Sequence, residues 1–130
     1  MKNEKGDTIT EVILEKEDVM DLDTTLATII FQGLCQFRVV IANDPLRSVP
    51  SLLLREMFPM VAQGEHTEEQ IEQADKEWLR IIDRMIDAFD QSKDIIHHSD
   101  PYYVAKRTER LDIEREGRTL FAKYFNSLYN

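Results

Sequence analysis

The chain has 130 residues, of which 42% are hydrophobic and 32% are charged, so its composition is that of one globular domain and excludes a disordered chain. Its net charge of −9 makes it a poor generic binder of nucleic acid, because that affinity depends on neutralising phosphates. With a single cysteine, Cys35, no signal-peptide pattern and no run approaching 18 apolar residues, we expect a cytoplasmic protein with no internal disulfide and no membrane-spanning segment.

The first 22 residues predict an N-terminal arm and linker ahead of a helical domain formed by residues 23–130. Residues 8–14 are rich in β-branched side chains, which is typical of one short strand or of an extended arm that packs on the helices or on another copy. The acidic run 15–21 is predicted to be linker.

The first long helix is predicted to begin at Asp23, because an aspartate carboxylate accepts hydrogen bonds from the free amides of a first turn. Its predicted buried face consists of Leu26, Ile29, Ile30, Leu34, Phe37 and Ile41. Val39 and Val40 extend the apolar surface beyond this face, so we expect the helix to be covered on two sides. Residues 43–45 (Asn-Asp-Pro) end it, since the residue before a proline avoids helical backbone.

The segment 46–61 is unusually apolar for a connection between helices. A short helix is predicted from Ser51 until Pro59 closes it. The apolar residues around this helix either plug one end of the bundle or form an interface, and we expect self-association on that basis.

The second long helix has the clearest signals in the chain. Thr67 and Gln70 fit a capping box, and the helix is predicted to run to about residue 93. Apolar residues at 78, 81, 82, 85, 86 and 89 form one helix face, headed by Trp78. Asp83, Asp87, Asp90 and Asp94 lie on the opposite side, which predicts a solvated face.

The third long helix is predicted to begin at Asp100 and Pro101, a cap followed by a proline in the first turn, and to reach residue 129. Its predicted buried face consists of Tyr103, Val104, Leu111, Gly117, Leu120, Phe121, Tyr124, Phe125 and Leu128. The sequence therefore predicts an all-α fold, a small up-and-down bundle of three long helices plus one short helix with an extended N-terminal arm.

Three blocks of the sequence resemble a family of small helical proteins of tailed phages and prophages. The blocks are residues 20–27 with Ile30, Leu34 and Phe37, then 78–89, then 116–128. They are similar to the family patterns W-x-L-D, W-x-x-I-L-D-K-M-I-x-A-F and L-F-A-K-Y-F, although Met20 stands where the family has Trp and Gln32-Gly33 where it has Pro-Arg. The resemblance implies a phage origin, a place in the host cytoplasm and a helical fold, and it implies no settled biochemical function.

The sequence contains no pairing of nucleophile and base and no glycine-rich phosphate loop, so we expect no enzyme, no catalytic residue and no cofactor. His97 and His98 with Asp94 and Asp100 offer metal-ligating groups, but adjacent histidines in an acidic loop are more typically solvated. We therefore predict no metal site.

The predicted ligand-binding residues are Arg84, Lys123, Asp83 and Tyr124, because these polar groups lie beside core positions within the three blocks. A phosphate between Arg84 and Lys123 would gain charge-assisted hydrogen bonds, and Tyr124 could stack on a base. The competing interpretation is that Asp23 is a cap and that the other charged residues form surface ion pairs, each worth less than about 1 kcal/mol.

Two functions follow as expectations. The first is a non-enzymatic phage accessory protein that binds and neutralises a host factor or a small signalling molecule, such as a nucleotide messenger of anti-phage defence. The alternative is a structural or regulatory phage protein that acts only through helical self-assembly or protein contacts. The expected partners are further copies of the chain, an anionic small molecule or nucleotide, and a host protein, with no membrane and no generic binding to nucleic acid.

Overall fold

The computed structural model describes residues 5–8 and 11–129, and these residues form helices with no strand among them. The prediction of an all-α fold is confirmed. The helices are α1 (Lys16–Met20), α2 (Leu22–Ala42), α3 (Ser51–Met57), α4 (Glu68–Phe89) and α5 (Tyr103–Tyr124), with 3-10 turns at Gln91–Asp94 and Phe125–Ser127. Three long helices are present as predicted, together with two short helices in the described part of the chain where one was expected.

The additional helix, α1, lies in the acidic run that was predicted to be linker, so that prediction is wrong. The backbone amide of Glu15 donates to the carboxylate of Asp18 at 3.0 Å, which satisfies one free amide at the helix start. The hydroxyl of Thr25 in α2 donates to the carbonyl of Asp18 at 2.9 Å and ties the two helices together. The acidic residues therefore favour a helix here because they lie at its positive end.

The arm that precedes α1 contains no strand in its described residues. Thr8 forms an isolated bridge, and residues 11–14 have no regular structure. The predicted strand at 8–14 is absent from these positions, while residues 9 and 10 lie outside the described part of the chain.

The N-cap of α2 is Asp21, two residues before the predicted cap Asp23. The carbonyl of Asp21 accepts from the amide of Thr25 at 3.0 Å, which places Asp23 inside the first turn. Its end at Ala42, directly before Asn43, is where the sequence predicted it.

Helix α4 is the centre of the fold and packs against α2, α3 and α5. The reciprocal capping box at its start is confirmed, since the Thr67 amide donates to the Gln70 side chain at 3.0 Å and the Gln70 amide to the Thr67 hydroxyl at 3.1 Å. The predicted apolar face is buried, with Trp78 2% exposed and Ile82 and Met85 fully covered. The helix ends at Phe89 because Asp90 adopts extended backbone and caps the following 3-10 turn.

The sequence predicted that the segment 46–61 either plugs one end of the bundle or forms an interface. In the structure the segment covers one part of this core, in line with the first of these alternatives. Leu53 and Leu54 of α3 are buried, and Leu52 and Met57 pack against the core cluster. Leu46 remains exposed at 89%.

Helix α5 begins at Tyr103, after a turn in which the Asp100 carbonyl accepts from the Tyr103 amide at 3.0 Å. It is shorter at both ends than predicted, and part of its predicted buried face is wrong. Val104, Leu111 and Phe125 are exposed at 76%, 44% and 60%. Gly117 and Tyr124 are buried as predicted, and Arg110 is the buried position that the prediction lacked, because a paired arginine replaces an apolar residue in the first half of the helix.

Only one side of α2 is covered by the described residues. Leu34 and Ile41 are buried on the side that faces α4. Leu26 and Ile29, which were predicted to be buried, are exposed at 46% and 54%, and Val39 and Val40 at 61% and 58%. The prediction of coverage on two sides is therefore wrong for the single chain.

Candidate functional site

Two of the predicted ligand-binding residues, Asp83 and Arg84, line a shallow depression on α4 of about 380 Å³. The Arg84 guanidinium donates to Glu116 of α5 at 2.9 Å. The Asp83 carboxylate accepts from Nε of Arg38 in α2 at 2.9 Å. Both groups therefore already have partners of opposite charge, and they connect α4 to the helices on its two sides.

The other two predicted residues, Lys123 and Tyr124, meet at Glu56 of α3. Lys123 Nζ lies 2.7 Å from a carboxylate oxygen of Glu56, and the Tyr124 hydroxyl donates to the same oxygen at 3.3 Å. Burial, followed by the charge and hydrogen bond of Glu56, raises the pKa of Tyr124 to about 12. The phenol is consequently protonated at neutral pH and keeps its role as a donor to Glu56.

The structure does not bring Arg84 and Lys123 to one site. Glu116, the partner of Arg84, and Lys123 are both on α5, and seven residues of helix separate them by about 10 Å along the axis. The two cations also line different concavities. The expectation of a phosphate held between them therefore finds no shared cavity in this fold.

Lys123 instead faces a larger concavity, which we call the α3–α5 cavity. It encloses about 530 Å³ between α3, the residues that precede it and the end of the chain after α5. Its polar lining includes Ser48, Ser51, Arg55, Lys123, Asn126 and Ser127. The cavity thus combines two cations with several neutral donors.

Arg55 distinguishes this cavity from the others. Seven of the nine arginines in the chain place a nitrogen within 4.0 Å of a carboxylate oxygen. Arg55 and Arg107 form no such pair, and Arg55 has no hydrogen-bond partner either among the described residues. An arginine without a counter-charge at the wall of a cavity is available to bind an anion.

A second cluster of charges, around Arg110, is buried between α4, the 3-10 turn that follows it and α5. Arg110 is 5% exposed, and its Nε donates to Asp94 at 2.8 Å. Its Nη2 donates to the carbonyls of Asp90 at 3.0 Å and Ala88 at 3.3 Å. Asp87 belongs to this cluster and pairs with Lys93. The aspartates predicted to form a solvated face are therefore largely paired.

The carboxylates of Asp94 and Glu114 interact within this cluster and their pKa values move apart. Burial, followed by the hydrogen bond and charge of Asp94, raises the pKa of Glu114. Burial also raises the pKa of Asp94, but the hydrogen bonds from Glu114 and Arg110 outweigh it and lower the net value. The cluster links the end of α4 to α5, and within it Nη1 of Arg110 makes no hydrogen bond among the described residues and lies 3.8 Å from Asp87.

Arg55 and the Arg110 cluster are the charged features that sequence reasoning missed. The importance of Arg55 depends on the proximity of α3 to the end of α5, which no local pattern encodes. For Arg110 a signal was present, since it falls four residues before Glu114 and seven before Gly117 and so shares a helix face with them.

The fold and the cavity define a small all-helical protein with a cation-lined concavity at one end of α5. No family model matches the chain, and neither a curated protein nor a solved structure is significantly similar to it.

Among the described residues, α2 is the one helix that is long and apolar enough to cross a bilayer, judged by length and composition. This criterion is mean hydropathy over a helix and not an unbroken apolar run, so the absence of a membrane-spanning segment stays a prediction. Core helices of soluble proteins meet it too, and α2 packs Leu34 and Ile41 toward α4.

Proposed function

We propose that the chain is a non-enzymatic binder of a phosphate-bearing small molecule, and that the ligand occupies the α3–α5 cavity. The observation that carries this proposal is the position of Arg55, a cation with no partner among the described residues, in the lining of the cavity that Lys123 also lines from α5.

The cavity chemistry favours phosphate over other groups. An arginine presents two parallel N–H donors that fit two phosphate oxygens, and a lysine adds a compact charge. Ser48, Ser51 and Ser127 offer hydroxyls in the lining of the same cavity for neutral hydrogen bonds to ribose or to further phosphate oxygens. The described residues that line the cavity include no carboxylate, so the negative charge closest to a bound anion is that of Glu56, which pairs with Lys123 at 2.7 Å.

Binding requires Lys123 to exchange a partner. Its ammonium pairs with Glu56 at 2.7 Å, and the ligand phosphate would compete for that ammonium. The Tyr124 hydroxyl, protonated because its pKa is about 12, would continue to donate to Glu56 when Lys123 turns toward the ligand. The cost of the exchange is therefore reduced, since the carboxylate keeps one hydrogen bond.

Size and net charge narrow the class of ligand. A cavity of about 530 Å³ lies within the range used for nucleotide-sized and drug-sized molecules. The net charge of −9 opposes long-range attraction of polyanions. A mononucleotide or a cyclic nucleotide held by two placed cations fits these conditions better than a nucleic acid chain does.

The biological setting of this proposal comes from the resemblance to small phage proteins. In an infected cell, a protein that binds a nucleotide messenger of anti-phage defence and does not turn it over would neutralise the signal by sequestration. Support for this setting consists of the residue patterns in three blocks of the sequence and the cation-lined cavity.

Titration calorimetry with linear and cyclic nucleotides, and with inorganic phosphate and pyrophosphate, tests the proposal. We expect at least one nucleotide to bind with a Kd below about 100 μM, and to be recovered unchanged after incubation. Arg55→Ala and Lys123→Ala should each weaken binding about tenfold or more, with little change in melting temperature because both side chains are exposed.

Two further variants sharpen the test. Glu56→Gln should strengthen binding, because it frees Lys123 from its competing carboxylate. Arg84→Ala is the matched control, since Arg84 is an exposed cation that lines a different depression. Absence of binding below about 100 μM, or equal losses in Arg55→Ala and Arg84→Ala, would overturn the proposal.

Helical assembly is the second candidate function, and one observation favours it. Leu26, Ile29 and Val40 leave a continuous part of α2 apolar and exposed. In this role the protein would act through contacts with other helical chains and would need no ligand.

A further inference from the structure

The uncovered face of α2 has the residue spacing of a helix-pairing seam. Its members are Leu22, Leu26, Ile29, Gly33, Gln36 and Val40, which recur at alternating intervals of four and three. All six positions are exposed. This spacing keeps one side of a helix directed at a partner helix over its whole length, which a surface of scattered apolar residues does not do.

Gly33 opens the middle of this seam. A Cβ atom built on Gly33 would have no neighbouring atom within 4 Å, so a partner helix can approach the backbone closely there. Gly33 also borders an apolar groove of about 230 Å³, together with Ile30 and Phe37 of α2 and Phe121 and Leu128 near the C-terminus. The seam thus lies beside a space that can accept an apolar side chain from outside the chain.

We propose that this face binds the α2 helix of a second copy in antiparallel orientation. In that register Leu22 lies opposite Val40 of the partner copy, Leu26 opposite Gln36, and Ile29 opposite Gly33. Each opposed pair of seam residues then occurs twice in the dimer, as a two-fold symmetric interface requires. The large side chain of Ile29 meets the residue that has none, and the adjoining groove receives the flank of the partner helix.

The distribution of charge makes this face, more than other faces of the molecule, the place where a second copy can bind. Each copy carries a net charge of −9, so two copies repel each other unless they meet where charge is absent. Residues 24–37 of α2 contain no aspartate, glutamate, lysine or arginine. The seam therefore provides a path about 20 Å long on which two acidic chains can approach without like charges in contact.

The free face of α2 is also large enough for a specific interface between two copies. Helix α2 has 21 residues and is about 31 Å long, so its free face offers on the order of 500 Å² per copy. Two such faces reach about 1,000 Å², the lower limit of a specific interface.

A bilayer is a poorer occupant for the same face. The charge-free part of α2, about 20 Å long, is shorter than the hydrocarbon core of about 30 Å. Insertion would also remove Arg38 from Asp83, its partner at 2.9 Å, and Leu34 and Ile41 from their buried positions.

Light scattering over a concentration series tests the proposal with the full chain. We expect twice the 15.3 kDa of one chain at micromolar concentration, and about 15.3 kDa for Ile29→Glu. The matched control is Leu46→Glu, which introduces the same charge at a residue that is 89% exposed outside the seam; it should remain dimeric. A wild-type mass of one chain throughout the series, or a dimeric Ile29→Glu protein, would overturn the proposal.

Disulfide trapping tests the orientation. In a Cys35→Ser background, Ile29→Cys and Gly33→Cys chains should form mixed disulfides when combined and few when each is oxidised alone. Disulfides within each separate sample would indicate parallel pairing and overturn the antiparallel register. If the wild type is monomeric and sediments with phosphatidylcholine vesicles while Ile29→Glu does not, the α2 face binds lipid and not a second copy, and the proposal fails. The seam shares no residue with the α3–α5 cavity, so the nucleotide measurements are independent of this result.

Discussion

Gly117 of α5 lies directly against Ala88 of α4. A Cβ atom built on Gly117 would be 2.6 Å from the carbonyl oxygen of Arg84 and closer still to the Cβ of Ala88. No side chain fits in that space, so the closest approach of the two helices depends on a residue without a Cβ. Because α4 and α5 form the largest helix contact in the fold, this approach also determines where Lys123 and Tyr124 lie relative to α3.

Gly117→Ala should therefore destabilise the protein even though alanine is the better helix former. The obstructing atoms are backbone and Cβ, which cannot move aside as a flexible side chain would, and overpacking of this kind costs about 1–3 kcal/mol or more. Gly33→Ala is the matched control at concentrations too low for two copies to pair through α2, because Gly33 has open space within its own chain and alanine should stabilise the monomer by about 0.5–1 kcal/mol. Urea unfolding of both variants in dilute solution measures the two effects, and equal signs would contradict this account.

Trp78 is the most consequential single side chain of the core. It is 2% exposed, and its ring packs against that of Tyr124 with 5.5 Å between centroids. Trp78→Ala should lower the free energy of unfolding by about 3–5 kcal/mol, since a large cavity would remain between α4 and α5. A loss below about 1 kcal/mol in a urea melt would mean that this packing is absent in solution.

The same part of the molecule shows how far the sequence could predict the fold. The capping box at Thr67 and the apolar face headed by Trp78 were predictable because both depend on residues within one or two turns of each other. The boundaries of α2 and α5 were less predictable, since an aspartate in an acidic run can be either the cap or a first-turn residue. Asp23 is the example in α2. Asp100 lies in the turn before α5, where its carboxylate accepts from the Tyr102 amide at 2.8 Å and the helix begins three residues later.

The site was harder to predict than the fold because it depends on contacts between distant segments. Lys123 and Tyr124 were correctly placed beside each other, but their joint partner Glu56 is 67 and 68 positions away in sequence. Arg55 looked like an ordinary surface residue of a short helix. No periodicity indicates that the helix would stand opposite the end of α5, and only the packing of α3 on the core creates the cavity.

Arg110 provides a prediction about buried charge. Replacing it with methionine would remove a donor from Asp94 and from the carbonyls of Asp90 and Ala88. Because the Asp94 side chain is 37% exposed, water replaces part of this hydrogen bonding, and the expected loss of stability is about 1–3 kcal/mol. Arg115→Met is the control, because Arg115 is on the same helix with an 80% exposed side chain and a distant partner at 3.9 Å. It should change the stability by less than about 0.5 kcal/mol. If the two variants melted alike, Arg110 could not be buried and paired as described.

The coupled carboxylates beside Arg110 predict how the stability depends on pH. Burial and the neighbouring Asp94 raise the pKa of Glu114 above its usual value of 4.5. The folded chain therefore holds this proton more tightly than the unfolded chain does. The resulting stabilisation is fully present below about pH 4.5 and is lost as the pH rises through the folded pKa.

Glu114→Gln removes this ionisation, so the variant should gain stability relative to wild type as the pH is raised from about 4.5 to about 7. Asp94→Asn should behave in the opposite way. Burial raises the pKa of Asp94, but hydrogen bonds from Glu114 and Arg110 outweigh it and lower the pKa below 3.8. The stability that this carboxylate contributes is therefore present above about pH 3.8 and lost as the pH falls through the folded pKa. Thermal melts of the two variants and wild type from about pH 2 to about pH 7 cover both pH windows and measure both trends. Curves that run parallel to wild type for both variants would show that the two carboxylates do not share a buried environment with Arg110.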